Sequence, residues 1–352
     1  MEPLSTTTPN MTTPYSTNEY TSSSAGSGEI LILDDLIRQR AADSDQTPLL
    51  AFPKFERGIT DYEKFTGQDL DRFIDQAAKY YVRCGLEPVS SVYPSTSENK
   101  VDIVSQANGT IVALLGLTDL AYVVTFFALS RLGYTSLCLS NRLAPSAYIA
   151  LLDETGCDVV VPGRSKQVTA LIAQVQQERL VKSVPIVRRE DFDRLALDEP
   201  PISRVDVDPL SVVTILHSSG STGLPKSIYL THKRLMTKTP PSKGAVEFTT
   251  FPWFHGYGNW VGVHGMYARK LVYVYNANLP VTADYMIKVL GHIRPDNLHV
   301  VPYSLKLLGE TQSGINTLKA CSRVLFSGSG CSDVLGNRLT GKGINLETFW
   351  GA

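Results

Sequence analysis

The sequence predicts an α/β fold built from βαβ units, and three features carry that prediction. Strand-like and helix-like stretches alternate with short connections through most of the chain. The strand-like stretches are continuous β-branched and apolar runs, such as Val212-Val213-Thr214-Ile215-Leu216, which suit strands buried in a parallel sheet. At 352 residues the chain has room for one large or two modest domains.

The elements follow in order. Glu29 to Arg40 carries Leu31, Leu33, Leu36 and Ile37 and reads as a short amphipathic helix. Thr66-Gly67-Gln68-Asp69 resembles a capping box, and behind it Leu70, Phe73, Ile74, Ala77, Tyr81 and Cys84 recur at helical spacing up to a Gly85 stop. Val101 to Leu115 contains strand material, Leu120 to Leu132 is helical up to Gly133, and Thr135 to Ser140 is a strand. Pro145 opens a helix that Gly156 closes before the strand Val159-Val160-Val161, and Val168 to Leu180 forms a further helix. Asp198-Glu199-Pro200-Pro201-Ile202 reads as a surface linker. Later come a helix over Ile287 to Ile293 and strands at Leu298 to Val301 and Arg323 to Phe326. The organisation expected is therefore a tail over 1–28, a first α/β subdomain over 29–205 and a second over 206–352.

Composition excludes several functional classes. Hydrophobic residues at 43% and charged residues at 19% describe a globular chain, and a net charge of −1 gives no surface for nucleic acid or anionic lipid. The five cysteines are scattered with no Cys-x-x-Cys pair, which argues against a disulfide framework or a zinc site and for a reducing, cytoplasmic setting. Residues 1–28 are rich in Ser and Thr and lack Lys and Arg, so they read as disordered and match neither a signal peptide nor a transit peptide. Asp119 and a Gly116–Thr118 turn interrupt the longest apolar stretch, Ile111 to Ser130, so it reads as strand, turn and helix and not as a membrane span.

The stretch richest in chemistry is His217 to Lys226, reading His-Ser-Ser-Gly-Ser-Thr-Gly-Leu-Pro-Lys. Gly220 and Gly223 let the backbone turn its N–H groups towards an anion. Ser218, Ser219, Ser221 and Thr222 add hydroxyl donors, and Lys226 adds a positive charge. The apolar flanks, Val212–Leu216 and Ile228-Tyr229-Leu230, frame it as strands would and separate it from a flexible linker. The glycine spacing and the Pro225-Lys226 ending exclude the common P-loop. A second dense stretch, Phe251-Pro252-Trp253-Phe254-His255-Gly256-Tyr257-Gly258-Asn259-Trp260, suits a ligand pocket or an aromatic core plug.

The order Ser-Ser-Gly-Ser-Thr-Gly-x-Pro-Lys closely resembles the phosphate loop of the adenylate-forming superfamily. The match in motif order runs from about residue 30 to 352 and looks closest to fungal peptide-synthetase-like enzymes of the carboxylic-acid-reductase type. The resemblance implies the large N-terminal domain of such an enzyme, incomplete at its C-terminus, with ATP and Mg²⁺ as cofactors. It implies Lys226 and Thr222 as catalytic phosphate contacts, and a nucleotide site made of Ser218, Ser219, Gly220, Ser221, Thr222, Gly223, Lys226 and the turn Gly328-Ser329-Gly330. It further implies an acyl pocket at Trp253, Phe254, His255, Gly256 and Trp260, and it assigns no metal ligand. His232 and His264 are expected to be structural, and His292 and His299 ordinary helix and strand residues.

Peptide synthetases place an aspartate in the pocket segment to pair with an α-ammonium. None stands between Phe251 and Trp260, which points to an aryl, keto or fatty acid in place of an amino acid. The reaction implied is activation of such an acid to an acyl-AMP, with a carrier protein or CoA outside this chain as acceptor. The fragment is expected to be weak or inactive. An acyl-CoA ligase fragment, or a truncated pseudoenzyme that only binds a nucleotide or a partner, are the alternatives.

Overall fold

The computed structural model describes residues 29–55, 57–92, 110–195, 199–218, 223–236 and 242–349. Two mostly parallel sheets with helices packed on them form the molecule, as the sequence pattern predicts.

The strands, in chain order, are β1 (Leu50–Pro53), β2 (Tyr62–Phe65), β3 (Ser91–Val92), β4 (Ile111–Leu115), β5 (Thr135–Leu139), β6 (Val159–Pro162), β7 (Lys182–Ser183), β8 (Asp206–Val207), β9 (Val212–His217), β10 (Ser227–Thr231), β11 (Val246–Thr249), β12 (Leu271–Val274), β13 (Asn297–Val300), β14 (Arg323–Phe326) and β15 (Leu346–Thr348). The first large sheet has the order β10-β9-β5-β4-β6-β7, parallel except for β10. The second has the order β15-β14-β13-β11-β12-β1-β2, parallel except for β2. A small parallel pair joins β3 to β8.

The two large sheets do not divide the chain at 205/206. β9 and β10 lie beyond that point yet complete the first sheet, where Thr214 pairs with Ser136 and its hydroxyl donates to the Ser136 carbonyl at 3.1 Å. β1 and β2 lie before it yet complete the second, where Leu50 pairs with Val272. Buried strands recruit whichever segment supplies a matching apolar edge, and sequence order does not constrain that choice beyond the length of the connection.

Local signals place the helices. Thr66 accepts from the Asp69 N–H while Asp69 accepts from the Thr66 N–H, the capping box read from the sequence, and the helix Gly67–Arg83 follows. Gly85 sits at φ +84° just beyond it. Asp119 accepts from the Tyr122 N–H at 2.8 Å and opens the helix Leu120–Arg131, in which every residue but Ala121 is buried. A helix apolar on all sides belongs in the interior, and its flanking ladder β4 and the turn before it account for the long apolar stretch. Among the described residues no helix is long and apolar enough to cross a membrane. The N-terminal helix begins at Leu33, four residues after the expected start, with Leu33 and Leu36 fully buried. All five cysteines are free thiols. Most of Val101 to Leu115, part of the 198–202 linker and the whole 1–28 tail lie outside the described residues.

Candidate nucleotide and acyl site

β9 and β10 form an antiparallel pair that holds the Ser/Gly/Thr loop between them, with His217 opposite Ser227. The neck of the loop is closed twice. The Ser218 N–H donates to the Lys226 carbonyl at 3.0 Å, and the Lys226 N–H donates to the Ser218 hydroxyl at 2.9 Å. Gly223 takes φ +146° with open space where a side chain would stand, so backbone conformation is what requires glycine there. The Lys226 side chain is exposed. Ser219, Gly220, Ser221 and Thr222 lie outside the described residues.

Beside the neck, the His217 ring reaches the end of β5. Its Nε2 accepts from the Ser140 N–H at 3.0 Å, and its Nδ1 lies 2.9 Å from the Ser218 carbonyl oxygen. Burial lowers the pKa of this imidazole, partly offset by the bond to Ser218.

The aromatic segment 251–260 turns off the end of β11. The Phe251 N–H donates to the Thr249 hydroxyl at 3.1 Å, and the Trp253 N–H donates to the Thr118 hydroxyl at 2.8 Å. His255 then caps the helix Gly256–Tyr267, its Nδ1 accepting from the Tyr257 N–H at 3.2 Å. Two glycines permit the close approach. A Cβ on Gly258 would stand 2.2 Å from the Pro252 carbonyl oxygen, and one on Gly256 would touch Leu216 of β9 at 3.4 Å. The turn after β14 closes the third side. Gly328 sits at φ +86°, a Cβ on it would stand 3.5 Å from the Phe251 ring and 3.9 Å from His255 Nε2, and Ser329 and Gly330 are exposed next to it. The fold thus brings together Ser218 and Lys226, His255 and Gly256, and the Gly328 turn. Desolvation, with His217 nearby as a second cause, lowers the pKa of His255.

Trp253 is placed differently from the expectation that it lines the acyl pocket. It is 2% exposed, its ring sits edge-on to Phe126 and Phe127 at 5.9 and 6.0 Å, and it fills the notch left by Gly262. It is a core residue that anchors the segment. Phe254 is half-buried against the same core. Trp260, also half-buried, lies in an aromatic stack with Tyr257 at 5.9 Å, His264 at 4.7 Å and Phe349 at 4.8 Å. His232 accepts from the Leu33 N–H at 3.0 Å, a structural role, and burial takes its pKa down to about 4.

Sequence reasoning missed one group. His299 is not an ordinary strand residue. Its Nδ1 is hydrogen-bonded to the Tyr257 hydroxyl at 2.8 Å, and its Nε2 lies 3.3 Å from Glu247 Oε2. Glu247 also takes Lys270 Nζ at 2.5 Å and Asn297 Nδ2 at 3.1 Å on its other oxygen. Glu247 comes from β11, Asn297 and His299 from β13, Lys270 from the position just before β12, and Tyr257 from the helix after His255. The one local signal was a carboxylate inside an otherwise strand-like run, Val-Glu-Phe-Thr.

The profile of the AMP-binding enzymes matches residues 105–352. The chain belongs to that family. AMP-binding relatives include a non-canonical non-ribosomal peptide synthetase of Acremonium egyptiacum, 28% identical over 68% of this chain and 23% of its own length. An adenylate-forming reductase of Stachybotrys bisbyi is likewise 28% identical, over 68% of this chain and 24% of its own. A carboxylic acid reductase of Neurospora crassa is 23% identical over 91% of this chain and 30% of its own. The chain therefore spans roughly a quarter of the length of these relatives. Among solved structures, the inhibitor-bound N-terminal domain of FACL13 from Mycobacterium tuberculosis superposes with a TM-score of 0.71 at 16% identity, covering 91% of this chain and 76% of that one. The anthranilate CoA ligase AuaEII in complex with anthranoyl-AMP gives 0.71 at 15% identity, covering 91% and 59%. The shared fold is the α/β architecture read from the sequence.

Among the described residues, the neck and the turns beside it fit a nucleoside triphosphate. A loop neck pinned backbone to side chain fixes the backbone of an exposed lysine, and the glycines Gly223 and Gly328 take positive φ. Among the described residues no group of three or more His, Cys, Asp or Glu is placed to hold a metal ion. Mg²⁺, which prefers one or two carboxylates plus substrate phosphates, would enter with the nucleotide.

Proposed function

We propose that this site activates a carboxylic acid with ATP, giving an acyl-adenylate and pyrophosphate. The observation that carries the proposal is the convergence of three pieces distant in sequence: the Ser218–Lys226 neck, the His255-capped helix start and the Gly328 turn. A carboxylate oxygen attacks the α-phosphate, the bond to the β-phosphate oxygen breaks, and negative charge collects on the departing pyrophosphate. Lys226 and Thr222 stabilise that charge as it develops, as a cation and a hydroxyl donor. Mg²⁺, when bound with the nucleotide, would supply further charge neutralisation on the phosphates. The helix Gly256–Tyr267 aims its N-terminus at the same opening and favours anionic groups there. His255 and Gly256 form the wall nearest the reacting carboxylate, and Trp260 extends it with an apolar face.

The acid is an aryl or other non-amino acid, because the segment 251–260 holds no carboxylate to pair with an α-ammonium. The acyl group then passes to a thiol outside this chain. The peptide synthetase and reductases among the relatives favour a carrier protein over CoA. Calorimetric titration with ATP tests the site: Lys226→Ala and Thr222→Ala should each weaken binding by about 1–3 kcal/mol, the loss of a charge-assisted or buried hydrogen bond. Equal affinity in the wild type and both variants would refute the phosphate-loop assignment.

A further inference from the structure

The partners of His217 fix its chemistry. A backbone N–H can only donate, so the Nε2 that faces Ser140 N at 3.0 Å carries a lone pair. A carbonyl can only accept, so the Nδ1 that faces Ser218 O at 2.9 Å carries the proton. Both ring nitrogens are thereby used, and the ring is neutral in its Nδ1–H form. The two bonds tie different parts of the fold. One reaches the residue after β5, where Ser140 begins the turn into the helix Pro145–Thr155 and its own hydroxyl accepts from the Arg142 N–H at 3.3 Å. The other holds the carbonyl of Ser218, whose N–H and hydroxyl close the neck on Lys226. β5 and β9 are adjacent strands, yet their paired residues are Ser136–Thr214 and Leu137–Ile215, so the ladder stops short of this point. The imidazole continues the connection where backbone pairing ends.

We propose that His217 is a positioning residue: a neutral imidazole strut that fixes the neck of the phosphate loop, and with it Lys226, against the turn that follows β5. The proposal rests on reading residues 218–226 as a phosphate loop. Protonation would remove the acceptor that Ser140 uses, and the lowered pKa of the ring agrees with a site built for the neutral form. His255 is the titratable group that faces it from the neighbouring helix start.

Two measurements on the 352-residue chain test this. In the ¹⁵N-histidine-labelled protein, long-range ¹H–¹⁵N spectra near neutral pH should show His217 as the Nδ1–H tautomer, its signals assigned by their disappearance in His217→Phe. An Nε2–H or doubly protonated ring would overturn the proposal. Calorimetry with ATP supplies the second measurement. His217→Phe keeps the ring but neither bond and should lose about 3- to 10-fold in affinity, equivalent to one or two hydrogen bonds. His217→Gln places an acceptor near the position of Nε2 and should recover most of that loss, whereas His217→Asn reaches only the near end and should not. Circular dichroism confirms that each compared variant is folded, and where Phe is not tolerated the disappearance of the signals in His217→Gln supplies the assignment for the tautomer measurement. If all three variants bind ATP like the wild type while Lys226→Ala does not, the strut is refuted and the phosphate loop survives. If the wild type does not bind ATP, both fall.

Discussion

Replacing Glu247 by Gln probes the buried group beneath the aromatic segment. Glu247 is 3% exposed and His299 is also 3% exposed, so neither is solvated in the folded state. Burial alone would raise the carboxyl pKa, but His299 and Lys270 outweigh it and hold it down to about 2 from an ordinary 4.5. A depressed carboxyl pKa stabilises the fold above the unfolded value, and that stability is lost as pH falls from 4.5 through about 2. At about 1.4 kcal/mol per tenfold change in proton affinity, the carboxylate contributes roughly 3 kcal/mol at neutral pH. Removing one partner of a buried ion pair costs about 3–5 kcal/mol, because the remaining charge stays uncompensated. The Lys270 side chain is 17% exposed and recovers some hydration, which favours the lower end. Urea denaturation should show Glu247→Gln less stable than the wild type by about 3 kcal/mol near pH 7, narrowing to roughly 2 kcal/mol near pH 3.5 as the unfolded chain takes up the proton. Other carboxylates titrate alike in both proteins and cancel in the difference. A gap below about 1 kcal/mol at neutral pH, or one that acid leaves unchanged, would refute the account of Glu247 as an ionised anchor for His299 and Tyr257.

Two further outcomes follow from the same geometry. A Cβ at Gly262 would stand 2.1 Å and 2.2 Å from two ring carbons of Trp253, which Phe126 and Phe127 hold in place, so Gly262→Ala should cost about 1–3 kcal/mol in chemical denaturation; wild-type stability would show that Trp253 is free to move and is no packed anchor. A benzoyl-sulfamoyl-adenosine analogue should bind more tightly than the alanyl analogue in calorimetric titration, because no carboxylate in 251–260 offsets the desolvation of an ammonium; the reverse order would remove the non-amino-acid assignment.

Where one segment contains both partners, the sequence was legible. The Thr66–Asp69 box and the glycine stops at 85, 133 and 156 each depend on residues within a few positions, so helix ends could be read directly. The 212–216 run and the 228–230 run were readable as the strands framing the loop for the same reason, since their period and turn chemistry are local. Sequence reading left Phe251 to Trp260 open between a ligand pocket and an aromatic core plug. Burial then sorted it, sending Trp253 into the core against Phe126 and leaving His255 at the opening.

The sequence by itself determined the α/β class, the positions of about half of the helices and strands, and the loop whose residue types suit phosphate. Tertiary structure decided which sheet each strand joins, and so that β9 and β10 complete the sheet of β4 to β7 while β1 joins β12. It also decided that Glu247, His299 and Tyr257 meet, and that His217 reaches Ser140 across 77 positions of chain. The physical reason is one of range. Capping and strand patterning act over a single turn or pleat and leave a mark in adjacent residues. Sheet order and buried polar contacts are set by the packing of apolar surfaces and by the need to pair each desolvated polar group, and no short stretch of sequence records which distant partner meets that need.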